Sequence, residues 1–319
     1  MRALRLLDGP IITAETHPSI GENIQGPSLV RVPEWVREAL GKYYLYFADH
    51  KGRYIRLAFA DSPLGPWQVH EPGSLQIEHS GFPTQPPEVP PKLLEHIQAQ
   101  AARLELPHGL LEEITTPHIA SPDVHVSEAH RAFVMYYHGL EGPALQVTRA
   151  ATSTDGIHFE SRPQILSPSY LRTFALDGQT YGMTMPGQFF RSKDGLTDFE
   201  KGPLLFNPDM RHAALLVRDG VLHVFWTQVG HAPERILHST IDLSEDWLSW
   251  TASPPVEILR PEHPWEGADA PLVPSIRSVA YGHVNQLRDP AVYEESGRTY
   301  LLYAVAGESG IAIAEILEN

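Results

Sequence analysis

Short apolar and aromatic runs alternate with polar turns along this chain, and the arrangement recurs. One unit has apolar runs at 26–32, 42–47 and 55–60, and similar units follow with first runs at 121–126 and 289–293. Alternating, β-branched and aromatic runs bounded by Gly, Pro and Asp predict antiparallel strands. A unit of three or four short strands at this spacing is typical of a β-propeller blade.

The repeats predict an all-β fold, a five-bladed β-propeller formed by one domain over residues 1–319. The blades are predicted at the following positions: about 26–70, 119–162, 170–203, 211–252 and 288–317. Two insertions, 71–118 and 253–287, interrupt the repeat. Helical apolar spacing over 91–104 predicts one helix in the first insertion, between blades one and two, packed on its own chain. Residues 1–25 are expected to add a strand to the last blade, which closes the ring and covers an edge.

Several blades end in aromatic residues that follow a polar turn. These are Trp67, Phe159, Phe199, Trp247 and Trp250. We interpret them as packing between blades, because burial of a large ring explains them without a ligand.

Composition limits the classes of function. The 319 residues carry a formal net charge of −15, which argues against nucleic acid or an anionic membrane surface as partner. The lack of cysteine excludes disulfides, thiolate metal sites and a cysteine nucleophile. No apolar run approaches the roughly 20 residues of a membrane span. The first residues lack the apolar segment of a signal peptide, so a cytoplasmic protein is expected. The oligomeric state is left open.

Polar residues precede the predicted innermost strand of every blade. In blade order they are Gln25, Ser121 with Asp123, Arg172 with Thr173, Arg211 with His212, and Arg288 with Asp289. A single one is as easily a turn residue. Because a propeller brings the innermost strands to one axis, five such positions are expected to converge at the mouth of one channel.

The repeat resembles the five-bladed propellers of glycoside hydrolase family 43 and its relatives, families 32, 68, 117 and 130. Pro122-Asp123 after Ala120-Ser121 is similar to the family 43 stretch Ala-Pro-Asp, and the runs 42–46 and 298–303 are similar to its aromatic second strands. The resemblance implies a glycoside hydrolase with an oligosaccharide substrate.

The resemblance also implies catalytic positions, and the chain departs from two of them. Family 43 uses a blade-one Asp as base, a blade-two Asp that tunes pKa values and a blade-three Glu as acid. The second carries over onto Asp123. Gly26, between Gln25 and Pro27, and the pair 172–173 stand where the other two are expected. A blade-four His is implicated as an acid in family 117, and His212 matches it.

Glycoside hydrolysis needs a proton donor and a group that activates water or attacks the sugar. The candidates are Asp123 and Asp289 as base or orienting carboxylates, and His212 or Glu266 as proton donor. A histidine titrates near neutral pH, whereas a glutamate needs a raised pKa for the same task.

Further residues are candidates for substrate binding. They are Gln25, Arg172, Arg211, Arg288, Trp265 and His118. The arginines could hold an acidic sugar in bidentate fashion, and Trp265 could stack on a sugar ring. Pairing with a nearby Asp and packing in the core are the respective alternatives. No cofactor is expected to be required. The 17 histidines leave a structural divalent ion in the channel as an open alternative, although no compact metal motif is present.

Three functions stay open at this point. The first is an exo-acting glycoside hydrolase, because the insertions can block one side of a central pocket. The second is a phosphorylase or a lyase on the same scaffold, with arginines for phosphate or with His and Tyr in place of two carboxylates. The third is a carbohydrate-binding propeller without catalysis. The fold alone does not choose among them.

Overall fold

Five antiparallel sheets follow one another along the chain and surround a common axis, which confirms the predicted five-bladed propeller. The computed structural model describes residues 1–101 and 109–318. Two short strands, β1 (Arg2–Arg5) and β2 (Ile12–Thr13), come first and pair with the last blade. In each blade the first of the consecutive strands lies at one edge of its sheet, and these five first strands surround a common cavity, so they are innermost.

Within each blade, successive strands pair antiparallel. Their bounds are, for blade one, β3 (Gln25–Arg31), β4 (Tyr43–Ala48), β5 (Tyr54–Ala60) and β6 (Gln68–Gln76); for blade two, β7 (Ile119–Ser127), β8 (Ala132–Gly142), β9 (Leu145–Ser153), β10 (Glu160–Ser161) and β11 (Ser167–Pro168); for blade three, β12 (Arg172–Leu176), β13 (Gln179–Thr184), β14 (Gln188–Ser192) and β15 (Glu200–Leu204); for blade four, β16 (Met210–Arg218), β17 (Val221–Gln228), β18 (Ile236–Asp242) and β19 (Val256–Leu259); for blade five, β20 (Arg288–Glu295), β21 (Arg298–Val305) and β22 (Gly310–Leu317). The start of the predicted insertion 253–287 therefore supplies the outer strand of blade four.

The N-terminal segment closes the ring. Strand β1 pairs with β22 from Arg2 opposite Leu317 to Arg5 opposite Ala314. The outermost strand of blade five thus comes from the other end of the chain, as the sequence predicts. This pairing removes a free sheet edge, which would otherwise be open to aggregation.

In the described part of the segment between blades one and two, the chain forms two α-helices, α1 (Pro91–Ala101) and α2 (Leu110–Thr115). Helix α1 agrees with the predicted helix, whose last part, 102–104, lies outside the described residues. Among the residues that the structure describes, no helix is long and apolar enough to cross a membrane.

The hydrophobic core is divided among the interfaces between blades. The described residues form five apolar clusters, and each joins two neighbouring blades. The aromatic residues that end the blades belong to these clusters; Trp67, Phe159, Trp247 and Trp250 are buried, and Phe199 packs against the cluster of blades two and three. Their interpretation as packing between blades is confirmed.

Tyrosines on two second strands connect blade one to blade two and blade two to blade three. The Tyr46 hydroxyl donates to the Gly156 carbonyl in blade two at 2.7 Å, and the Tyr136 hydroxyl donates to the Gly195 carbonyl in blade three at 2.9 Å. Both acceptors lie in a turn of the form Ser-x-Asp-Gly that follows a third strand. A buried hydroxyl needs such a partner, so these bonds fix the angle at which blades pack.

The two ends of the propeller carry different strand ends and hairpins, because neighbouring strands run antiparallel. The hairpin between the second and third strands lies at the end where the first strand begins. We call this the upper end. The hairpins at this end contain His50 in blade one, Glu234 in blade four and Glu308 in blade five. The innermost strands finish at the lower end.

Candidate active site

Five residues at equivalent positions form a ring around the axis at the upper end. They are Gly26, Ser121, Tyr170, His212 and Asp289, and each has a positive φ, of 63°, 51°, 65°, 46° and 46° respectively. The strand register shifts beside four of them, as at a β-bulge. A positive φ costs a non-glycine residue about 1–2 kcal/mol. Such strain is held by the surrounding structure and is concentrated at functional sites. We call these five residues the axial ring.

Three members of the axial ring contact one another through their side chains. The Tyr170 hydroxyl donates to Oδ1 of Asp289 at 2.8 Å. Nε2 of His212 lies 3.9 Å from the same oxygen, and the His212 and Tyr170 rings are 5.5 Å apart. Because Tyr170 belongs to blade three and Asp289 to blade five, this contact crosses the axis. The carboxyl group is only 2% exposed.

Two more histidines extend this group. The His138 ring lies 6.2 Å from that of Tyr170, and the His118 ring lies 6.1 Å from that of His138. Nδ1 of His118 is 2.7 Å from the Thr116 carbonyl. Nδ1 of His138 and Nε2 of His118 are buried and have no hydrogen-bond partner among the described residues. Buried polar atoms of this kind call for an explanation, and a binding role is one.

Burial shifts the proton affinities of Asp289 and His212 in opposite directions. Burial, followed by the charge of Glu308, raises the pKa of Asp289 to about 6. Burial, followed by the charges of Arg211 and Arg288, holds the pKa of His212 well below its usual value. At neutral pH His212 is therefore a neutral imidazole. Asp289 keeps its proton to an unusually high pH for a carboxyl group.

Glu308 is the buried anion beside Asp289. It accepts hydrogen bonds from Arg288 at 2.7 Å and Asn23 at 2.8 Å, and His50 lies 3.3 Å away. Although burial opposes its charge, His50 and Arg288 hold the pKa of Glu308 low, at about 2. Glu308 therefore stays ionised and disfavours a second negative charge on Asp289.

The arginines that precede His212 and Asp289 are committed to buried ion pairs. Arg211 holds Glu234 with two hydrogen bonds, of 2.8 and 2.5 Å. Arg288 bonds to Gln286 and Glu308 and lies 3.6 Å from Glu234. These contacts favour the alternative to substrate binding, in which each arginine pairs with a nearby acidic residue and positions the start of its strand.

Gln25 and Arg172 lie against the axial ring. Ser121 donates to Oε1 of Gln25 at 3.1 Å, while Nε2 of Gln25 is buried with no partner among the described residues. The Arg172 guanidinium lies 4.2 Å from the Tyr170 ring and donates to the carbonyls of Ser121 and Ala213. It therefore spans blades two, three and four directly beneath the ring.

Asp123 does not belong to the axial ring. It follows Ser121 by two residues and lines a cavity that opens toward the lower end. Its Oδ2 accepts from the Thr173 amide at 2.9 Å and lies 2.8 Å from Nε2 of His125. Burial opposes its charge, but His125 and Arg172 hold the pKa of Asp123 below its usual value.

Glu266 and Trp265 lie apart from these groups. Arg5 holds the Glu266 carboxylate with two hydrogen bonds of 2.8 Å, and Tyr303 donates to it at 3.1 Å. The Trp265 ring stacks on His263 at 5.4 Å. Because Glu266 is wholly buried against an arginine at the closure of the ring, these surroundings do not support the predicted role of proton donor.

Sequence reasoning did not single out Tyr170, His138, His50 or Glu308 as an interacting set. It named Arg172 and Thr173 as the polar residues at the innermost strand of blade three, and Arg172 lies two residues past the ring position. Aligning Tyr170 with the residue before Pro27, Pro122 and Pro290 would have found it, although Leu171 replaces the proline there. His50 and Glu308 lie in the hairpins that follow second strands, and His138 lies within the second strand of blade two, opposite Ala120. Only the pairing of the strands places these three residues near the axis.

Solved structures share this architecture. A family 43 β-xylosidase/α-arabinofuranosidase from a compost microbial metagenome, in complex with xylotriose, matches with a TM-score of 0.57 and 13% identity, over 97% of this chain and 94% of that chain. An exo-1,5-α-L-arabinanase from a bovine ruminal metagenomic library matches with a TM-score of 0.54 and 12% identity, over 93% of this chain and 94% of that chain. The likeness defines the class of fold, the five-bladed propeller found in glycoside hydrolase family 43.

One relative is also similar in sequence. The uncharacterized protein R118 of Acanthamoeba polyphaga mimivirus is 33% identical over 321 residues, which cover 92% of this chain and 83% of the viral protein. The chain belongs to the same family as this viral protein. A comparison with protein-family models found no match.

Proposed function

We propose that this protein is a glycosidase that cleaves oligosaccharides at the axial ring, with Asp289 as the proton donor. The observation that carries the proposal is the buried Asp289 carboxyl, bonded to Tyr170 across the axis beside a neutral His212. A general acid for neutral pH needs a raised pKa and a fixed orientation. Burial and Glu308 supply the first, and Tyr170 supplies the second.

The roles of Asp289 and His212 are therefore the reverse of those predicted from the sequence. Asp289, expected as base, holds its proton longer than an ordinary carboxyl group. His212, expected as acid, does not hold a second proton at neutral pH. The two groups lie 3.9 Å apart, which is shorter than the roughly 5–9.5 Å that separates the catalytic carboxyl groups on either side of a glycosidic bond. They therefore act from one side, and the group that acts on the other face comes from elsewhere.

A saccharide is the substrate class that suits the remaining side chains. Burial lowers the pKa of both His118 and His138, so both are neutral. His118 donates from Nδ1 to the Thr116 carbonyl, which leaves its Nε2 as an acceptor, and Nδ1 of His138 is left as a donor or an acceptor. Such groups match sugar hydroxyls, which also donate and accept. The solved enzyme of the same fold that binds xylotriose supports an oligosaccharide.

Cleavage from the chain end is supported by the insertions above the axis. Glu113 of the first insertion lies 3.3 Å from Lys51 and accepts from Ser278 of the second insertion at 2.9 Å. The two insertions thus meet over the upper end. A covered site admits a terminal sugar more readily than the middle of a polymer.

The other functions that the scaffold leaves open fit less well. A phosphorylase needs free cations for phosphate, but Arg211 and Arg288 are committed to Glu234 and Glu308. A lyase with Tyr170 as base needs a lowered pKa, whereas burial raises the pKa of this tyrosine well above its usual value. An inactive binding propeller would gain nothing from a carboxyl group tuned in this way.

The test separates an acid from a merely structural carboxyl. Purified protein is screened against aryl glycosides and oligosaccharides, and Asp289→Asn is then compared on two substrates with the same sugar. A 2,4-dinitrophenyl leaving group departs without a proton, whereas a sugar leaving group needs one. We expect the variant to lose at least about 100-fold on the oligosaccharide and little on the dinitrophenyl glycoside.

Asp269→Asn is the matched control, because Asp269 also faces a histidine, His283 at 2.6 Å, but on the exposed surface. We expect this control to keep both activities. Equal loss of Asp289→Asn on both substrates would contradict the acid role. No turnover of any glycoside by the unchanged protein would overturn the proposed function.

A further inference from the structure

A cavity opens at the lower end of the propeller, beyond the axial ring. It has a volume of about 690 Å³ and is lined by residues of all five innermost strands. On each innermost strand, the first residue that lines the cavity lies two positions after the residue of the axial ring. These first lining residues are Ser28, Asp123, Arg172, Ala214 and Ala291. This volume is in the range of small-molecule sites in proteins.

Arg172 separates this cavity from the axial ring. Its guanidinium packs on Tyr170 on one side, and the residue lines the cavity on the other. Arg172 is 4% exposed, and its Nη2 has no hydrogen-bond partner among the described residues. The Arg172 guanidinium at the floor of the cavity is thus a buried hydrogen-bond donor that could still bond to a ligand.

The floor offers donors and acceptors without an excess of charge. The hydrogen bonds described for the Asp123 carboxylate go to Oδ2, from the amide and the hydroxyl of Thr173 and from His125. Its Oδ1 is the acceptor that remains. The positive charge of Arg172 balances the negative charge of Asp123. Burial opposes a charge on His125, but Asp123 raises the pKa of His125, so protonation of His125 balances Asp123 further as pH falls.

The walls and the rim complete a site for a neutral molecule. Partly exposed apolar side chains line the walls, namely Val126, Leu215, Leu216, Val217, Val292 and Tyr293. Two of the charges at the rim have ionic partners, since Arg31 pairs with Glu295 at 2.6 Å and Glu294 pairs with Arg218, and the rim also carries Glu34 and Glu128, which do not favour an anion. Apolar walls suit the C–H faces of a sugar ring, and an uncharged floor of mixed donors and acceptors suits adjacent hydroxyls.

We propose that the lower cavity is a binding site for a neutral monosaccharide or disaccharide, whose adjacent hydroxyls bond to Asp123, His125, Thr173 and Arg172. The site is separate from the axial ring, and it requires no bond to be made or broken. This inference does not depend on the catalytic role of Asp289.

Binding is measured by calorimetry and ligand-observed NMR, with xylose, arabinose, galactose, glucose and xylobiose as probes. We expect a dissociation constant of about 1 mM for the best probe. His125→Ala removes one hydrogen bond from a half-exposed residue, 44% exposed, and should weaken binding about tenfold without loss of fold. Asp123→Asn should weaken it at least as much.

Two control variants locate the binding. His158→Ala removes a histidine that faces Asp155 at 2.8 Å, as His125 faces Asp123, but lies outside the cavity, and it should bind the probe normally. Asp289→Asn alters the axial ring and should also bind normally. Weaker binding in Asp289→Asn with unchanged binding in His125→Ala would place the sugar at the axial ring and overturn the proposal. Lack of binding by every probe would overturn it too.

Discussion

Replacement of Glu234 tests how much the buried ion pairs next to the axial ring stabilise the protein. It is wholly buried, holds Arg211 with two hydrogen bonds and lies 3.6 Å from Arg288. These arginines directly precede His212 and Asp289 in the chain. Glu234→Gln keeps the shape of the side chain but removes its charge, so Arg211 loses its ionic partner in a dry interior.

The cost follows from the burial of the pair. Removing one partner of a buried ion pair destabilises a protein by about 3–5 kcal/mol, because the other charge stays desolvated. At about 2.1 cal/mol/K of unfolding entropy per residue, a chain of 319 residues loses roughly 4–8 °C in Tm for that change. Arg288 keeps Glu308, so the fold itself is expected to survive.

Thermal unfolding of the variant is compared with that of Glu315→Gln. Glu315 also holds an arginine with two hydrogen bonds, Arg298 at 2.9 and 2.6 Å, but this pair lies on the surface. Surface pairs contribute little, so the control should leave Tm unchanged within error. If Glu234→Gln and Glu315→Gln melt alike, the buried pair does not stabilise the upper end and our account of it is wrong.

Two further changes probe the axial ring. Tyr170→Phe removes the hydrogen bond that lowers the pKa of Asp289, so this pKa should rise. The fall of kcat/KM at high pH should then move to higher pH. An unchanged pH profile would argue against the contact. Gly26→Ala places a Cβ 2.8 Å from the Cα of Ser121 at a φ of 63°. It should lower stability by more than the roughly 1–2 kcal/mol of positive φ alone. Gly178→Ala, at a φ of 73° with open space around it, supplies that reference value in denaturant unfolding; equal losses would show that the ring is not tightly packed.

The fold could be predicted because its signals are local. Continuous apolar and aromatic strands such as β4 and β21, and aromatic residues such as Trp67, follow from burial of both sheet faces between neighbouring blades. The closing strand β1 was predictable as well, since a propeller that lacks it leaves an edge exposed.

The site was harder to predict because its contacts join distant parts of the chain. Glu308 lies in the hairpin between β21 and β22, and nothing in its sequence neighbours indicates that it is buried against Arg288 and His50. The sequence did indicate His212 and Asp289. It did not indicate which of them holds a proton, because that depends on burial and on charges from three blades.

The most direct test of the central claim is the pH dependence of kcat/KM on an oligosaccharide substrate. The claim is that Asp289 donates the proton, with a pKa of about 6. A donor must be protonated, so activity is lost as pH rises through that value. We predict a fall of roughly 90-fold between about pH 5 and about pH 8, close to tenfold for each pH unit once the pKa is passed. A kcat/KM that stays level or rises over this range would contradict the claim.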